Sequence, residues 1–129
     1  VNTGVPHVIQ FVEDLDEVDV KNLGTDIRYH DEFSPGGVNA DFVKVVDKHN
    51  IKIRTYERGV EDETLACGTG AVASAVISAE IEKMSSPITV QTRSGELIKV
   101  YFDMIKGDFR NVYLEGMAKL VYEGMIDDV

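Results

Sequence analysis

Apolar and polar residues alternate over "HVIQFV" (His7 to Val12), the period of a strand with one buried face. A helical spacing follows. Asp19 stands where an N-cap belongs, ahead of "VKNLGTDIRYH". That spacing turns Val20, Leu23 and Ile27 inward, with Tyr29 or His30 next in line. "SPGG" (Ser34 to Gly37) breaks the chain. "VNADFVKVVD" and "IKIRTYE" are then two strands about the turn "KHN". In the second strand Ile51, Ile53, Thr55 and Glu57 share one face, and Lys52, Arg54, Tyr56 and Arg58 share the other. "ITVQTR", "ELIKVYFDM" and "RNVYLEGMAKLVYEG" are further strands, divided by "SG" and "KGDF" turns.

The stretch Gly68 to Ile81, "GTGAVASAVISAEI", has neither a strand period nor a single apolar stripe. Ala71, Val72, Ala75, Val76, Ala79 and Ile81 point in almost every direction of a helix. A helix apolar all round for about three turns is a buried one. Its side chains are small, so surrounding backbone can come close. A curved sheet wrapped around one central helix satisfies both facts. Glu80, Glu82 and Lys83 mark its exit from the core.

Composition adds limits. The 129 residues suit a single domain with a real core, and 43% hydrophobic with 28% charged residues is ordinary for a globular chain. No apolar run reaches the ~20 residues of a membrane helix, and the opening "VNTGVPHVIQ" has no signal-peptide pattern. Without an initiator Met, the chain is expected to be a piece of something longer. The net charge of −10 disfavours nucleic acid as a partner. One Cys allows no internal disulfide, and the cytoplasm is the expected compartment.

That cysteine, Cys67, admits three readings. Free Cys is commonly a buried structural thiol. A zinc site would need about four ligands, and the chain offers one Cys with three scattered His, so no metal is expected. A reactive thiol is the third reading, favoured by position. Cys67 falls where the helix begins, beside the unpaired amides of Gly68, Thr69 and Gly70. Glycine at 68 and 70 leaves room for a ligand, and a carboxylate could sit there as anions do on helix N-termini. The helix dipole, worth about 0.3–1 kcal/mol, favours thiolate, while burial opposes it. The expected result is a thiol able to take and give a proton.

At "ERGVEDETLACGTGA" the chain resembles the second-half signature of the diaminopimelate epimerase family. "NTGVPH" is similar to that family's "TGNPH" element, "GGVNADFV" to its "VNxxFV" element, and "VYLEGMAKLVYEG" to its closing strands. The resemblance implies an α+β fold, a barrel-like mixed β-sheet around a central helix, one of two pseudo-symmetric halves. Residues 1–129 would form a single domain, the C-terminal half, with the N-terminal half and its own cysteine absent. The implied reaction interconverts LL- and meso-diaminopimelate without pyridoxal phosphate or another cofactor, one thiolate removing the α-proton and a second thiol returning one to the opposite face.

Carried over by residue, the resemblance makes Cys67 one acid/base thiol, with Glu57 and His7 at the reacting centre. Arg58 would pair with the distal carboxylate. The Gly68 and Thr69 amides would hold the α-carboxylate, Asn39 the distal amino-acid end, and Glu57 the amine. The implied partners are a small amino-acid substrate and the missing half, with no nucleic acid and no membrane; a homodimer is open. Two departures stand out. Val5 occupies the place of a substrate-binding Asn, which removes one polar contact. The loop from Glu57 to Cys67 is one residue longer than "ERGxGETxxC" and is expected to bulge in "EDE" (Glu61 to Glu63).

Plainer readings compete for each residue. Arg58 can be a solvated strand-end charge, His7 a structural histidine, Asn39 a strand-edge residue, and Glu61 to Glu63 a solvated loop. Only Glu57, in phase with Ile51 and Ile53, calls for a reason of its own. His30 and His49 receive no role. Two other functions stay open: a racemase or epimerase of the same fold acting on another amino acid such as proline, and a non-catalytic amino-acid-binding module.

Overall fold

A computed structural model describes residues 1–128. Seven strands and two α-helices follow in the order β1 (His7–Phe11), α1 (Val20–Arg28), β2 (Asn39–Asp47), β3 (Asn50–Glu57), β4 (Asp62–Thr64), α2 (Gly68–Glu82), β5 (Ile88–Gln91), β6 (Leu97–Ile105) and β7 (Asp108–Glu115). They form one mixed sheet of order β1-β2-β3-β5-β6-β7, with β4 pairing β3 off that path. The β1–β2 and β3–β5 pairs are parallel and the others antiparallel.

The sheet curls around α2, which touches β1, β2, β3, β5, β6 and β7. Gly70, Ala71, Ala73, Ser74, Ala75, Val76, Ser78 and Ala79 are buried, a set that covers the whole helix circumference, as its all-round apolar sequence requires. Ala71, Ala75 and Ala79 pack under Val43, Ile51, Ile53, Ile88, Val90 and Val100 in the main core. Small residues on the helix let the sheet wrap close; larger ones would hold the strands off.

A second, smaller core lies on the opposite face. Asp19 caps α1, its Oδ1 accepting the Asn22 N–H at 3.2 Å. The helix covers Ala40, Phe42 and Tyr56 together with Leu15 and Val20. Here the structure corrects the helical spacing. Leu23 is 42% exposed, and Tyr29 and His30 are also exposed. Gly24 takes the inward position instead, against the Tyr56 ring. A residue without a side chain lets the helix sit nearer the sheet, and that choice rotates Leu23 outward.

The final strand is also shorter than expected. β7 ends at Glu115, opposite Lys99, and residues 116–128 form no strand and are exposed. The alternation of Met117 to Tyr122 therefore pairs with no strand among the described residues. The acidic run differs as well. Glu61 takes a left-handed conformation (φ 59°), but Asp62 and Glu63 pair with Glu57 and Tyr56 without a register shift, so the run is neither the expected bulge nor a solvated loop. Asp62–Thr64 pairs with β3. Glu61 accepts from Arg28 Nε at 3.1 Å, and Glu63 holds Arg54 through two hydrogen bonds of 2.7 and 2.8 Å. Cationic side chains on α1 and β3 face the turn, so its carboxylates are paired.

Candidate active site

Four chain ends meet at one rim of the curled sheet. β1 begins at His7 and β2 at Asn39, paired in register. β3 ends at Glu57, and α2 begins just after Cys67, its N-cap residue. The strand directions and the start of α2 together bring His7, Asn39, Glu57, Arg58, Cys67, Gly68 and Thr69 to the same rim, although they span nearly half the chain.

Cys67 has extended backbone (φ −142°, ψ 112°), and its Sγ accepts the Gly70 N–H at 3.4 Å, a thiol standing in for the usual Ser or Asp cap. Burial pushes its thiol pKa up. The Thr69 hydroxyl and the Gly70 amide pull it down, and the carboxylates of Glu57 and Asp41 add to the rise. Desolvation thus outweighs these two donors, and the resting group is a protonated thiol.

The two glycines of the motif have different reasons. Gly68 is exposed, and an added Cβ would meet nothing closer than Leu114 Cδ1 at 3.8 Å, so the approach to the helix start is open. The Gly68 and Thr69 amides have no acceptor among the described residues, as first-turn donors do. Gly70 is not there for a ligand. A Cβ on it would lie 2.5 Å from Asp41 Oδ1 and 3.3 Å from the thiol, so glycine makes room for a carboxylate already inside the protein.

His7 is buried. Its Nδ1 meets Asp41 Oδ2 at 2.5 Å, with both side chains 0% exposed. Its Nε2 lies 2.9 Å from Thr69 Oγ1, which is 3.5 Å from Cys67 Sγ. Asn39 is buried too. Its Oδ1 accepts the Arg58 backbone N–H at 2.7 Å, which leaves its amide nitrogen facing His7 Nε2 at 3.4 Å. Thr64 Oγ1 donates to Glu57 Oε1 at 2.8 Å and aims that half-buried carboxylate across the strand end. Arg58 spends Nη1 on the carbonyls of Gly36 and Gly37 at 3.0 and 3.3 Å, which pins the guanidinium over the 36–37 turn. Its Nε and Nη2 make no hydrogen bond among the described residues, so one edge of the fork stays available.

Asp41 is the group that the motifs did not single out. Its Oδ1 also accepts from Thr55 Oγ1 at 2.6 Å. A signal existed: Asp41 is in phase with Val43 and Val45 on β2, so the strand period turns a carboxylate toward the core.

The diaminopimelate epimerase family profile matches residues 1–121. The chain is 47% identical to the diaminopimelate epimerase of Aquifex aeolicus over 99% of its own length and 45% of the relative's. It is 46% identical to that of Chlorobaculum tepidum over 98% of its length and 48% of the relative's. The chain therefore spans about half the length of the curated relatives it matches. Among solved structures it resembles a predicted epimerase from Pseudomonas aeruginosa (TM-score 0.56, 13% identity, 83% of this chain and 36% of that one). It also resembles a phenazine biosynthesis protein of the PhzF type from Bacillus anthracis (TM-score 0.56, 21% identity, 84% and 34%); at such identities the likeness concerns the fold. With the rim geometry, the family profile and these relatives in agreement, the chain belongs to the diaminopimelate epimerase family.

Proposed function

We propose that this chain is the C-terminal catalytic half of an epimerase that interconverts LL- and meso-diaminopimelate by proton transfer between two thiols, without a cofactor. Cys67 supplies one thiol. The observation that carries the reading is its placement: a protonatable thiol at the N-terminus of a buried helix, beside two free amides, with His7 and Glu57 at the same rim. The Gly68 and Thr69 amides are placed to hold an α-carboxylate. As the α-carbon loses its proton, negative charge grows toward that carboxylate, and donors fixed there stabilise it. Glu57 supplies a carboxylate for the substrate ammonium. The free edge of Arg58 suits a second, distal carboxylate, and Asn39 fixes the turn from which Arg58 projects.

One thiol can exchange a proton only on one face. Inversion needs a second group opposite, which this reading assigns to an N-terminal half. The exposed segment after β7 supports such a partner: Met117 is 85% exposed, Leu120 76% and Tyr122 83%. Apolar side chains in that concentration are costly to leave in water. The cytoplasm fits a thiol that must stay reduced.

The test uses the chain joined to its N-terminal half, LL-diaminopimelate and deuterated buffer, with the α-proton followed by NMR. Exchange with inversion is expected, lost in Cys67→Ser, while the isolated chain should show none. Normal epimerisation by Cys67→Ser, or robust turnover by the isolated chain, overturns the assignment. Exchange of proline in place of diaminopimelate would select the related racemase, and binding without exchange the non-catalytic module.

A further inference from the structure

The buried polar groups at the rim form one directed chain. Its direction follows from a fixed point. The Arg58 backbone N–H can only donate, so the Asn39 atom it meets at 2.7 Å is the carbonyl oxygen. The Asn39 amide nitrogen therefore faces His7 Nε2, and a donor there requires Nε2 to accept. The ring proton then belongs on Nδ1, where Asp41 Oδ2 lies at 2.5 Å. Thr55 Oγ1 donates to the other Asp41 oxygen at 2.6 Å and keeps that carboxylate from turning. With Nε2 as acceptor, the Thr69 hydroxyl donates to it across 2.9 Å, and the free lone pairs of Thr69 Oγ1 face the thiol 3.5 Å away.

We infer that Asp41 is a positioning residue for a proton relay that runs from Cys67 through the Thr69 hydroxyl to His7. The Cys67 S–H bond breaks as its proton passes to Thr69 Oγ1, and the proton that Thr69 carried passes to His7 Nε2. Thiolate and imidazolium result, and Thr69 is unchanged. Reprotonation of the thiolate runs the same steps backward. Asp41 acts by position: held on Nδ1, it selects the tautomer whose Nε2 can receive a proton. Gly70 belongs to the same device, since its missing Cβ is what admits Asp41. Besides His7 on β1, the titratable groups that face Cys67 are Asp41 from β2 and Glu57 from β3.

The inference rests on Cys67 as the acid/base thiol, but its test needs no turnover. In this chain the His7 tautomer is read from the ¹⁵N shifts of the imidazole, and Cys67 reactivity from its iodoacetamide rate against pH. The Nδ1–H tautomer is expected. Thr69→Val and His7→Gln should each slow alkylation at about pH 7 by about ten-fold, the worth of about one pKa unit of thiolate stabilisation, and Asp41→Asn should move the ring proton of His7 toward Nε2 in the ¹⁵N shifts. The limiting rate at high pH should not change. Thr69→Ser should recover the wild-type profile, and Thr69→Val with His7→Gln should lose no more than either alone, because both cut one path. A half-buried Thr69 makes its variants the safer pair if Asp41→Asn fails to fold. An Nε2–H tautomer, an unchanged neutral rate in Thr69→Val, or additive losses in the double variant overturn the relay. A relay that holds in a protein without epimerase activity would instead fault the proposed substrate.

Discussion

The Tyr56 ring lies directly on Gly24, with no space for a methyl group between them. A Cβ on Gly24 would stand 2.5 Å from Tyr56 Cβ and 2.6 Å from its Cγ. These are atoms near the backbone, so they cannot swing aside. Tyr56 is among the largest fully buried side chains and anchors the smaller core. Its hydroxyl accepts from Thr25 Oγ1 at 3.3 Å and donates to Glu61 Oε2 at 3.2 Å.

Gly24→Ala sets two effects against each other. Alanine in place of glycine favours a helix by ~1 kcal/mol, whereas overpacking costs ~1–3 kcal/mol. The contact here is at the severe end of that range, so packing should win. A net loss of about 2 kcal/mol is expected in urea unfolding, with α1 the first element to lose amide protection. A stabilised variant would mean that α1 is not seated on Tyr56.

Arg54 ties three segments together. Its Nη1 donates to the carbonyls of Leu15 and Val18 at 2.8 and 3.0 Å, while Nε and Nη2 grip both oxygens of Glu63. A planar fork makes these bonds at once, which an ammonium cannot do. Arg54→Lys should cost about 2 kcal/mol and Arg54→Met somewhat more, because hydrogen bonds to charged groups are worth ~1.5–3 kcal/mol and buried carbonyls would lose their donor. Equal stability of wild type and Arg54→Lys by chemical denaturation would rule this staple out.

Glu61 gives the fold an acid limb. The Gly59 N–H, with the Tyr29 hydroxyl and Arg28, holds its carboxyl down at about 2, despite partial desolvation. A carboxylate lowered on folding contributes stability above its unfolded value of ~4.3. That contribution is lost as pH falls through the window down to about 2. The urea midpoint should therefore drop across this window, and Glu61→Gln should drop less. Parallel pH curves for the two proteins would remove Glu61 from the account.

Cys67 has the opposite sign. Burial raises its thiol pKa, so the protonated form prevails at neutral pH and thiolate appears only as pH climbs past the usual ~8.5. Alkylation of Cys67 should be slower than that of a free cysteine at neutral pH and should approach it in alkali. A rate already at its plateau near neutrality would show a resting thiolate and contradict this balance.

Much of the protein is present in its local sequence. Strand alternation marks β1, β2, β3, β5 and β6, and the all-round apolar run marks α2 as the central helix, because periods of two and of about 3.6 residues are set by backbone geometry. The motif residues His7, Asn39, Glu57, Arg58 and Cys67 are recognisable as well, each at the end of an element. Tertiary structure decided what those periods cannot encode. Asp41 and His7 are 34 residues apart, and their meeting depends on the parallel register of β1 and β2. Gly24 rather than Leu23 faces the sheet because Tyr56 arrives from another strand. Glu61 and Glu63 are paired because Arg28 and Arg54 come from α1 and β3. Residues 116–122 keep a strand-like alternation without forming a strand. Side-chain period is a property of one segment; partnership is a property of two, and only the folded chain supplies the second.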